Sequence, residues 1–171
     1  GMTQSYDYLV SDRIRRMYNR YSEGLEFCRI FGGDIKSNPN ILKDLLFTRH
    51  DKLLKRKKDE YNLSFDKEFD KFITNVINFG SIWGNVFIDY CVNRNNGTIM
   101  ATSLNFVKDK STICYLRAHA PSDNKISYGL ILDYWSNNKN FNDGVKVIDL
   151  TRGDEPYKYR LGAVEYKLNN F

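Results

Sequence analysis

The feature that most constrains the fold is a helix pattern that separates two strand patterns in the second half of the chain. The strand patterns are residues 111–120, STICYLRAHA, and residues 145–150, VKVIDL. The helix pattern begins near Ser127 and stops before Gly144, with apolar side chains repeated on one face. Two strands joined by a helical crossover lie parallel in one sheet. A parallel pair of strands is therefore predicted here.

Three strand patterns arranged as a meander precede the crossover helix. Residues 85–92 are almost continuously apolar, which is typical of a strand covered on both faces. Asn95-Asn96-Gly97 is a strong signal for a tight hairpin turn into the second strand, at 98–107. A polar turn at 108–110 then leads into the strand at 111–120. A meander is antiparallel, so the complete sheet is predicted to be mixed.

The remaining strands and helices lie at the two ends of the chain. Residues 25–31 alternate as a strand, and residues 38–58 carry leucines at helical spacing. A second helix is predicted to begin after Ser64, a good N-cap, and to stop at Gly80. The alternation in residues 163–168 predicts a last strand.

A short helix completes the predicted order of elements. Asp154 is a good N-cap and Pro156 suits a first helical turn, so this helix precedes the last strand. The order is β-α-α-β-β-β-α-β-α-β, an α/β chain with a mixed sheet, and residues 25–171 are predicted to form one domain. Residues 1–24 are interpreted as a tag remnant followed by a basic helical connector, which raises the possibility of a missing N-terminal domain.

Composition excludes several classes of protein. The three cysteines, Cys28, Cys91 and Cys114, show no metal-binding spacing, so free thiols in a reducing cytoplasm and no metal site are predicted. The chain has no apolar run long enough to span a membrane and no secretory leader pattern. The net charge of +5 owes much to Lys55–Lys58, and charge alone does not predict a nucleic-acid partner.

Three motifs in the last third of the chain carry a family resemblance. Ser127 to Gly129 opens the crossover helix, Asp149-Leu150 ends the short strand, and residues 152–158 read RGDEPYK. With the element order, they resemble the CelD/BcsL-type acetyltransferases of the GNAT superfamily, which are linked to polysaccharide biosynthesis. The resemblance covers roughly residues 12–168. It implies a C-terminal GNAT-like domain that uses acetyl-CoA as co-substrate and acylates a sugar-containing or polysaccharide-precursor acceptor by direct transfer.

The start of the crossover helix is the predicted site for acetyl-CoA. The first amides of a helix have no partner within it and face the positive end of its dipole, which suits a diphosphate. The predicted contacts are Lys125, Ser127, Tyr128, Gly129 and Leu130. Gly129 lacks a Cβ and allows close approach to the backbone. The alternative is that Ser127 only caps the helix and Gly129 only relieves packing. Ordinary GNAT enzymes carry more glycine in this loop.

The predicted catalytic residues are His119, Glu155 and Tyr157. His119 ends the third strand of the meander and could act as a general base, since the reference pKa of histidine is near 6.5. The alternative for His119 is a surface or capping residue. Within the resemblance, Tyr157 would protonate the departing CoA thiolate, and Glu155 would accept a proton from the acceptor.

The turn between the short strand and the short helix supplies the predicted substrate contacts. They are Arg152, Asp154 and Lys158, of which Lys158 could hold an anionic sugar or a nucleotide phosphate. The alternative is that this charged cluster only caps the short helix.

Two other functions fit the same residues. FemABX-type peptidoglycan transferases share a GNAT-like half and use aminoacyl-tRNA, and the basic segments at 9–23 and 55–58 would suit that partner. A catalytically degenerate GNAT-like half that only packs against another domain would explain the single glycine of the loop.

Overall fold

The computed structural model describes the following residues: 6–41, 43–45, 48, 63–121 and 126–166. The predicted helix over 38–58 lies partly outside them, although residues 39–41 and 43–45 are helical. The basic run at 55–58 and Lys125 lie outside the described residues entirely.

Five strands of the described residues form one sheet in the order β1-β2-β3-β4-β5. Their bounds are β1 Leu25–Phe31, β2 Val86–Asn93, β3 Ile99–Lys108, β4 Ser111–His119 and β5 Val147–Asp149. The first three junctions are antiparallel, and β4 and β5 are parallel. The predicted mixed α/β sheet and its crossover are confirmed.

Within the described residues, five α-helices with both ends defined connect the strands and cover the sheet. They are α1 Asp12–Tyr21, α2 Gly32–Ser37, α3 Leu63–Trp83, α4 Tyr128–Asn142 and α5 Pro156–Arg160. Single 3-10 turns occupy Tyr6–Tyr8 and Ser22–Gly24. Helix α4 is the crossover that joins β4 to β5, so the two strands must run in the same direction.

Glycines account for two differences from the predicted boundaries. Helix α3 continues through Gly80 and ends before Gly84, whose φ is +69°. A Cβ on Gly80 would overlap the Val86 side chain, so this glycine lets the helix approach the sheet. Gly32 begins helix α2 directly after β1, ahead of the helix predicted over 38–58.

The predicted last strand is wrong for the residues that the structure describes. Residues 163–166 form no strand, and the Val164 side chain is exposed; residues 167 and 168 lie outside the described part. The Ser11 amide donates to the Arg160 carbonyl, and Gly162 then packs against Leu9. These contacts direct the chain towards the N-terminal segment, so the alternation in 163–166 has no sheet edge to join.

The two faces of the sheet differ in chemistry. The α3 face is an apolar core that includes Ile73, Ile77, Ile88 and Leu104. The α4 face combines an apolar cluster around Ile131 with buried charged and polar side chains. Burying charged and polar groups costs free energy unless they have partners. The α4 face, which buries several of them, is therefore the better candidate for a functional site.

Helix α1 packs against the rest of the molecule through one buried residue of its own. Ile14 is 1% exposed and lies in a cluster with Val10, Tyr134 and Leu161. The division of the chain at residue 24 stays a prediction. In the described residues, every helix is too short or too polar to cross a membrane.

Candidate active site

The site is built where the two parallel strands stop pairing. Strands β4 and β5 pair only from Ser111↔Val147 to Ile113↔Asp149. Strand β4 continues to His119, paired on its other side with β3. Residues 114–119 of β4 therefore have no strand partner on the β5 side in the described structure, and we call them the open β4 edge. An unpaired strand edge presents amides and carbonyls that can bind an extended ligand.

A β-bulge bends β4 at the start of this open edge. Leu104 pairs with Leu116 and Asn105 pairs with Cys114, so Tyr115 is an extra residue between them. A bulge of this kind locally bends the strand and increases its twist. The bend coincides with the last pair between β4 and β5, which explains why the strands separate at this position.

The first turn of α4 lies beside the far end of the open β4 edge. The Leu130 amide donates to the Ser127 hydroxyl at 3.4 Å, so Ser127 caps the helix. A Cβ on Gly129 would lie 3.1 Å from His119 Cδ2, so Gly129 also permits close packing. Ser127 therefore caps the helix and Gly129 relieves packing, as in the structural alternative given for these two residues. The amides of Tyr128 and Gly129 open the helix and remain candidates for a diphosphate.

His119 has a defined ring orientation at this junction. Its Nδ1 lies 3.1 Å from the Ala120 carbonyl oxygen. A carbonyl only accepts, so in the neutral ring the proton sits on Nδ1 and the basic lone pair sits on Nε2. This arrangement is compatible with the predicted role as a general base.

The turn after β5 has a strained backbone that is fixed by several hydrogen bonds. Thr151 has a φ of 63° and Gly153 has a φ of 107°. The Thr151 amide donates to Asp149 Oδ1 at 2.7 Å. A β-branched residue rarely adopts positive φ, so the surrounding contacts must hold this turn in place.

Lys158 supplies most of those contacts. Its Nζ donates to the carbonyl oxygens of Thr151, Arg152 and Gly153 at 3.1, 2.6 and 3.2 Å. It also lies 2.9 Å from Glu155 Oε2, and the Lys158 side chain is 6% exposed. An ammonium has three donors, so the geometry favours a structural role for Lys158 over the predicted contact with substrate.

Glu155, Arg152 and Asp154, the other charged residues of this turn, are suited to different roles. The hydrogen bond from Lys158 holds the pKa of the Glu155 carboxyl below its usual range, which makes Glu155 a weak base. The geometry therefore favours His119 over Glu155 as the proton acceptor. Arg152 and Asp154 are exposed at the rim of the turn, where both could contact a substrate.

A buried charged cluster joins the open β4 edge to α4 and α5. Arg117 Nη1 lies 3.0 Å from Asp133 Oδ2, and Arg117 Nε donates to Cys114 Sγ at 3.1 Å. The guanidinium carbon is 5.1 Å from the centre of the Tyr157 ring. Burial raises the pKa of Tyr157, and the charge of Arg117 opposes that rise. Of these four residues, we had predicted only Tyr157 as functional.

A signal for the missed residues was present in the sequence. Arg117 lies between Leu116 and Ala118, and Asp133 lies between Leu132 and Tyr134. A charged side chain within an apolar run is expected to have a buried partner.

A second buried pair lies on the same face of the sheet. Arg29 donates to both carboxylate oxygens of Asp89, at 2.7 Å each. Its guanidinium carbon also lies 4.1 Å from the centre of the Phe87 ring. This pair joins β1 to β2, away from the edge at which β4 and β5 separate.

The opposite face of the sheet carries an apolar groove of about 430 Å³. Phe72, Phe79 and Phe106 line it, and the first two are 53% and 67% exposed. Phe106 pairs with Ile113 across the sheet, and the Tyr115 ring meets it edge-on at 5.4 Å. The Phe106–Tyr115 ring contact therefore joins the wall of the groove to the start of the open β4 edge.

No group of three or more metal-binding side chains occurs in the part of the chain that the structure describes.

Comparisons with known proteins agree with this fold. Residues 10–159 match the family described as an acetyltransferase (GNAT) domain. A predicted acetyltransferase from Clostridium acetobutylicum, solved with acetyl-CoA, is 15% identical with a TM-score of 0.54, and the match covers 85% of this chain and 96% of that chain. No curated protein sequence matches.

An aminoglycoside acetyltransferase from an uncultured soil metagenomic sample is similar as well. Its complex with sisomicin is 13% identical with a TM-score of 0.52, and the match covers 88% of this chain and 97% of that chain. Its complex with trehalose is 13% identical with a TM-score of 0.54, covering 88% and 96%. At these identities the solved structures show a common fold.

Proposed function

The chain belongs to the acetyltransferase (GNAT) domain family, and from this premise we propose that it transfers an acetyl group from acetyl-CoA to a sugar-containing acceptor. The observation that carries the proposal is the position of the α4 first turn beside the open β4 edge. Gly129 and His119 mark the point of contact between the two. A ligand with a diphosphate at one end and an amide-containing arm would satisfy both features at once.

The helix start and the strand edge would bind different parts of acetyl-CoA. The amides of Tyr128 and Gly129 lie at the positive end of the 15-residue helix α4, which favours the diphosphate. The amide-containing arm would lie along residues 114–119 and hydrogen-bond to the strand edge, as added peptide strands do. The thioester would then approach the bulge at Tyr115.

The transfer would proceed in one step within the ternary complex. A hydroxyl or amine of the acceptor attacks the thioester carbonyl carbon, and the carbon–sulfur bond breaks. The acceptor proton passes to Nε2 of His119, and the Tyr157 hydroxyl protonates the departing thiolate. Solvent then carries the proton from the imidazolium to the phenolate, so no net proton is consumed by the enzyme.

The proposed acceptor class is inferred from the aromatic groove on the opposite face of the sheet. The groove beside Phe106 is lined by aromatic rings, against which the apolar faces of sugar rings can pack, and Asn75 and Asn85 add hydrogen-bonding amides. The structurally similar soil acetyltransferase was solved with sisomicin and with trehalose, both of which contain sugar rings. A polysaccharide precursor is one member of this acceptor class.

Calorimetry with acetyl-CoA tests the binding part of the proposal. Gly129→Trp fills the space between α4 and His119, and we expect acetyl-CoA binding to be lost. Gly33→Trp is the matched control, because Gly33 also lies in the first turn of a helix and is exposed, with no atom within 4 Å of an added Cβ. Far-UV circular dichroism verifies that both variants fold.

The outcomes separate the proposed function from its rivals. Equal binding by the chain and by Gly129→Trp would place the acetyl-CoA site elsewhere. Binding without CoA release in the presence of aminoglycosides, disaccharides and glycan precursors would contradict the acceptor class. Salt-sensitive binding of tRNA, without binding of acetyl-CoA, would support the aminoacyl-tRNA-dependent alternative. Failure of the folded chain to bind either ligand would support a packing domain.

A further inference from the structure

We propose that Arg117 and Asp133 are positioning residues for Tyr157: Asp133 holds the Arg117 guanidinium, and the guanidinium holds the Tyr157 ring at the open β4 edge. The proposal rests on the proposed function, in which Tyr157 protonates the departing thiolate. The inference itself comes from the buried cluster, which connects β4, α4 and α5 through a single guanidinium.

The guanidinium is fixed from three directions. Asp133 on α4 pairs with it at 3.0 Å, and Cys114 on β4 accepts from its Nε at 3.1 Å. The Tyr157 ring then lies over the same group, 5.1 Å from its carbon. A planar cation held by two neighbours and facing an aromatic ring restrains where that ring can lie. Arg117 thereby fixes α5 against the strand edge at which the thioester would bind.

The acidity of Tyr157 matters because a thiolate is a moderate base. A thiol has a pKa near 8.5 and an ordinary phenol a pKa near 10, so proton transfer from phenol to thiolate is uphill. Burial raises the pKa of Tyr157 and makes the transfer harder. The positive charge of Arg117 lowers that pKa and counteracts the effect of burial.

Several other groups act on the same phenol. Asp133 on α4, Glu155 beside α5 and Cys114 on β4 each raise its pKa. Tyr134 on α4 shares the apolar cluster around Tyr157. Burial raises the pKa of Tyr134 to about 12, so it remains neutral at physiological pH. Arg117 is therefore the group that makes Tyr157 more acidic, and Asp133 moderates its effect.

Two substitutions separate these effects by sign. Arg117→Met removes the cation, so the Tyr157 titration should move to higher pH. Asp133→Asn removes the anion that partly neutralises the cation, so the titration should move to lower pH. A role limited to packing would move both titrations in the same direction or leave both unchanged.

Absorbance titration of tyrosinate measures the shift directly. Each protein is titrated with its own Tyr157→Phe counterpart, and the difference isolates Tyr157 from the other tyrosines. Arg94→Met is the matched control: it removes an arginine that donates to the Leu25 carbonyl, and it should leave the Tyr157 titration unchanged. If Arg117→Met does not fold, Asp133→Asn, which retains the cation, is the deciding variant: its Tyr157 titration should still move to lower pH.

The rate of CoA release distinguishes the inference from the proposed function. We expect Tyr157→Phe to lower kcat by about 100-fold or more, and Arg117→Met to shift the basic limb of the kcat–pH profile upward. Full activity of Tyr157→Phe would overturn the proposed proton donor while the opposite titration shifts still stood. If Tyr157→Phe is slow but neither Arg117→Met nor Asp133→Asn moves the Tyr157 titration, the inference is overturned and the proposed proton donor stands.

Discussion

Asp133 is a buried acid whose ionisation destabilises the folded chain. Burial raises the pKa of its carboxyl to about 6; Arg117 opposes this rise and Asp89 adds to it. An unfolded aspartate titrates near 3.9. Between these two values the folded state holds a proton that the unfolded state has lost, so the free energy of unfolding falls as pH rises through this window.

Asp133→Asn should remove this dependence on pH. Relative to the unsubstituted chain, we expect the free energy of unfolding of the variant to rise by roughly 2 kcal/mol between pH 4 and pH 7, because most of the interval between the two pKa values lies in that range, at about 1.4 kcal/mol per pH unit. Urea unfolding at several pH values measures the difference. Asp154→Asn, at an exposed position, is the control. A difference that stays constant with pH would contradict the prediction.

Single residues were predictable from the sequence only where their role is local. Ser127 as a helix cap follows from its place just before an apolar helical pattern, and the structure shows that cap. The contact between Arg117 and Asp133 depends on how α4 crosses β4, which spacing along the chain does not reveal. The same holds for Lys158, whose carbonyl partners depend on the three-dimensional shape of the turn.

Elements and their order were predictable because turns and periodicities act over a few residues. The hairpin at Asn95-Asn96-Gly97 forms, with Gly97 at a φ of 70°, and the parallel pair follows from the crossover. The bulge at Tyr115 could not be predicted, since it exists only in the register between β3 and β4. The predicted strand at 163–168 fails for a different reason: alternation favours a strand, but a strand also needs a neighbouring strand to pair with.

The turn between β5 and α5 should depend on Lys158 far more than on Glu155. We expect Lys158→Met to lower the free energy of unfolding by about 2–3 kcal/mol, because three carbonyls lose a charged donor. Glu155→Gln should cost under about 1 kcal/mol, since the carboxylate is half exposed and screened by water. Thermal unfolding of the two variants gives the comparison. Equal costs would mean that Lys158 only pairs with Glu155.

At the scale of the whole molecule, the N-terminal helix connects packing to the candidate site. Ile14 is buried against Tyr134 of α4, and Asn137 of the same helix donates to the Tyr6 hydroxyl at 2.8 Å. The Ser127 amide, at the start of α4, donates to Met17 Sδ at 3.4 Å. Helix α1 and the turn at Tyr6–Tyr8 therefore contact α4 at several positions, including the end proposed to bind the diphosphate.

Ile14→Ala tests whether residues 1–24 form a connector or part of the domain. If α1 supports the domain, removing this buried side chain should cost about 2–4 kcal/mol, as large-to-small substitutions in cores do. Asn19→Ala, at an exposed position of the same helix, is the control. Urea unfolding measures both, and a neutral Ile14→Ala would support an independent connector.

The same variant links the packing of α1 to acetyl-CoA binding. If α1 holds the first turn of α4 in place, loosening it at Ile14 should weaken acetyl-CoA binding several-fold, because the amides of Tyr128 and Gly129 lose their fixed direction. Calorimetry well below the unfolding temperature separates this effect from global unfolding. An Ile14→Ala chain that is less stable but binds acetyl-CoA unchanged would show that the β4 edge alone orients α4, since His119 already packs against Gly129 there.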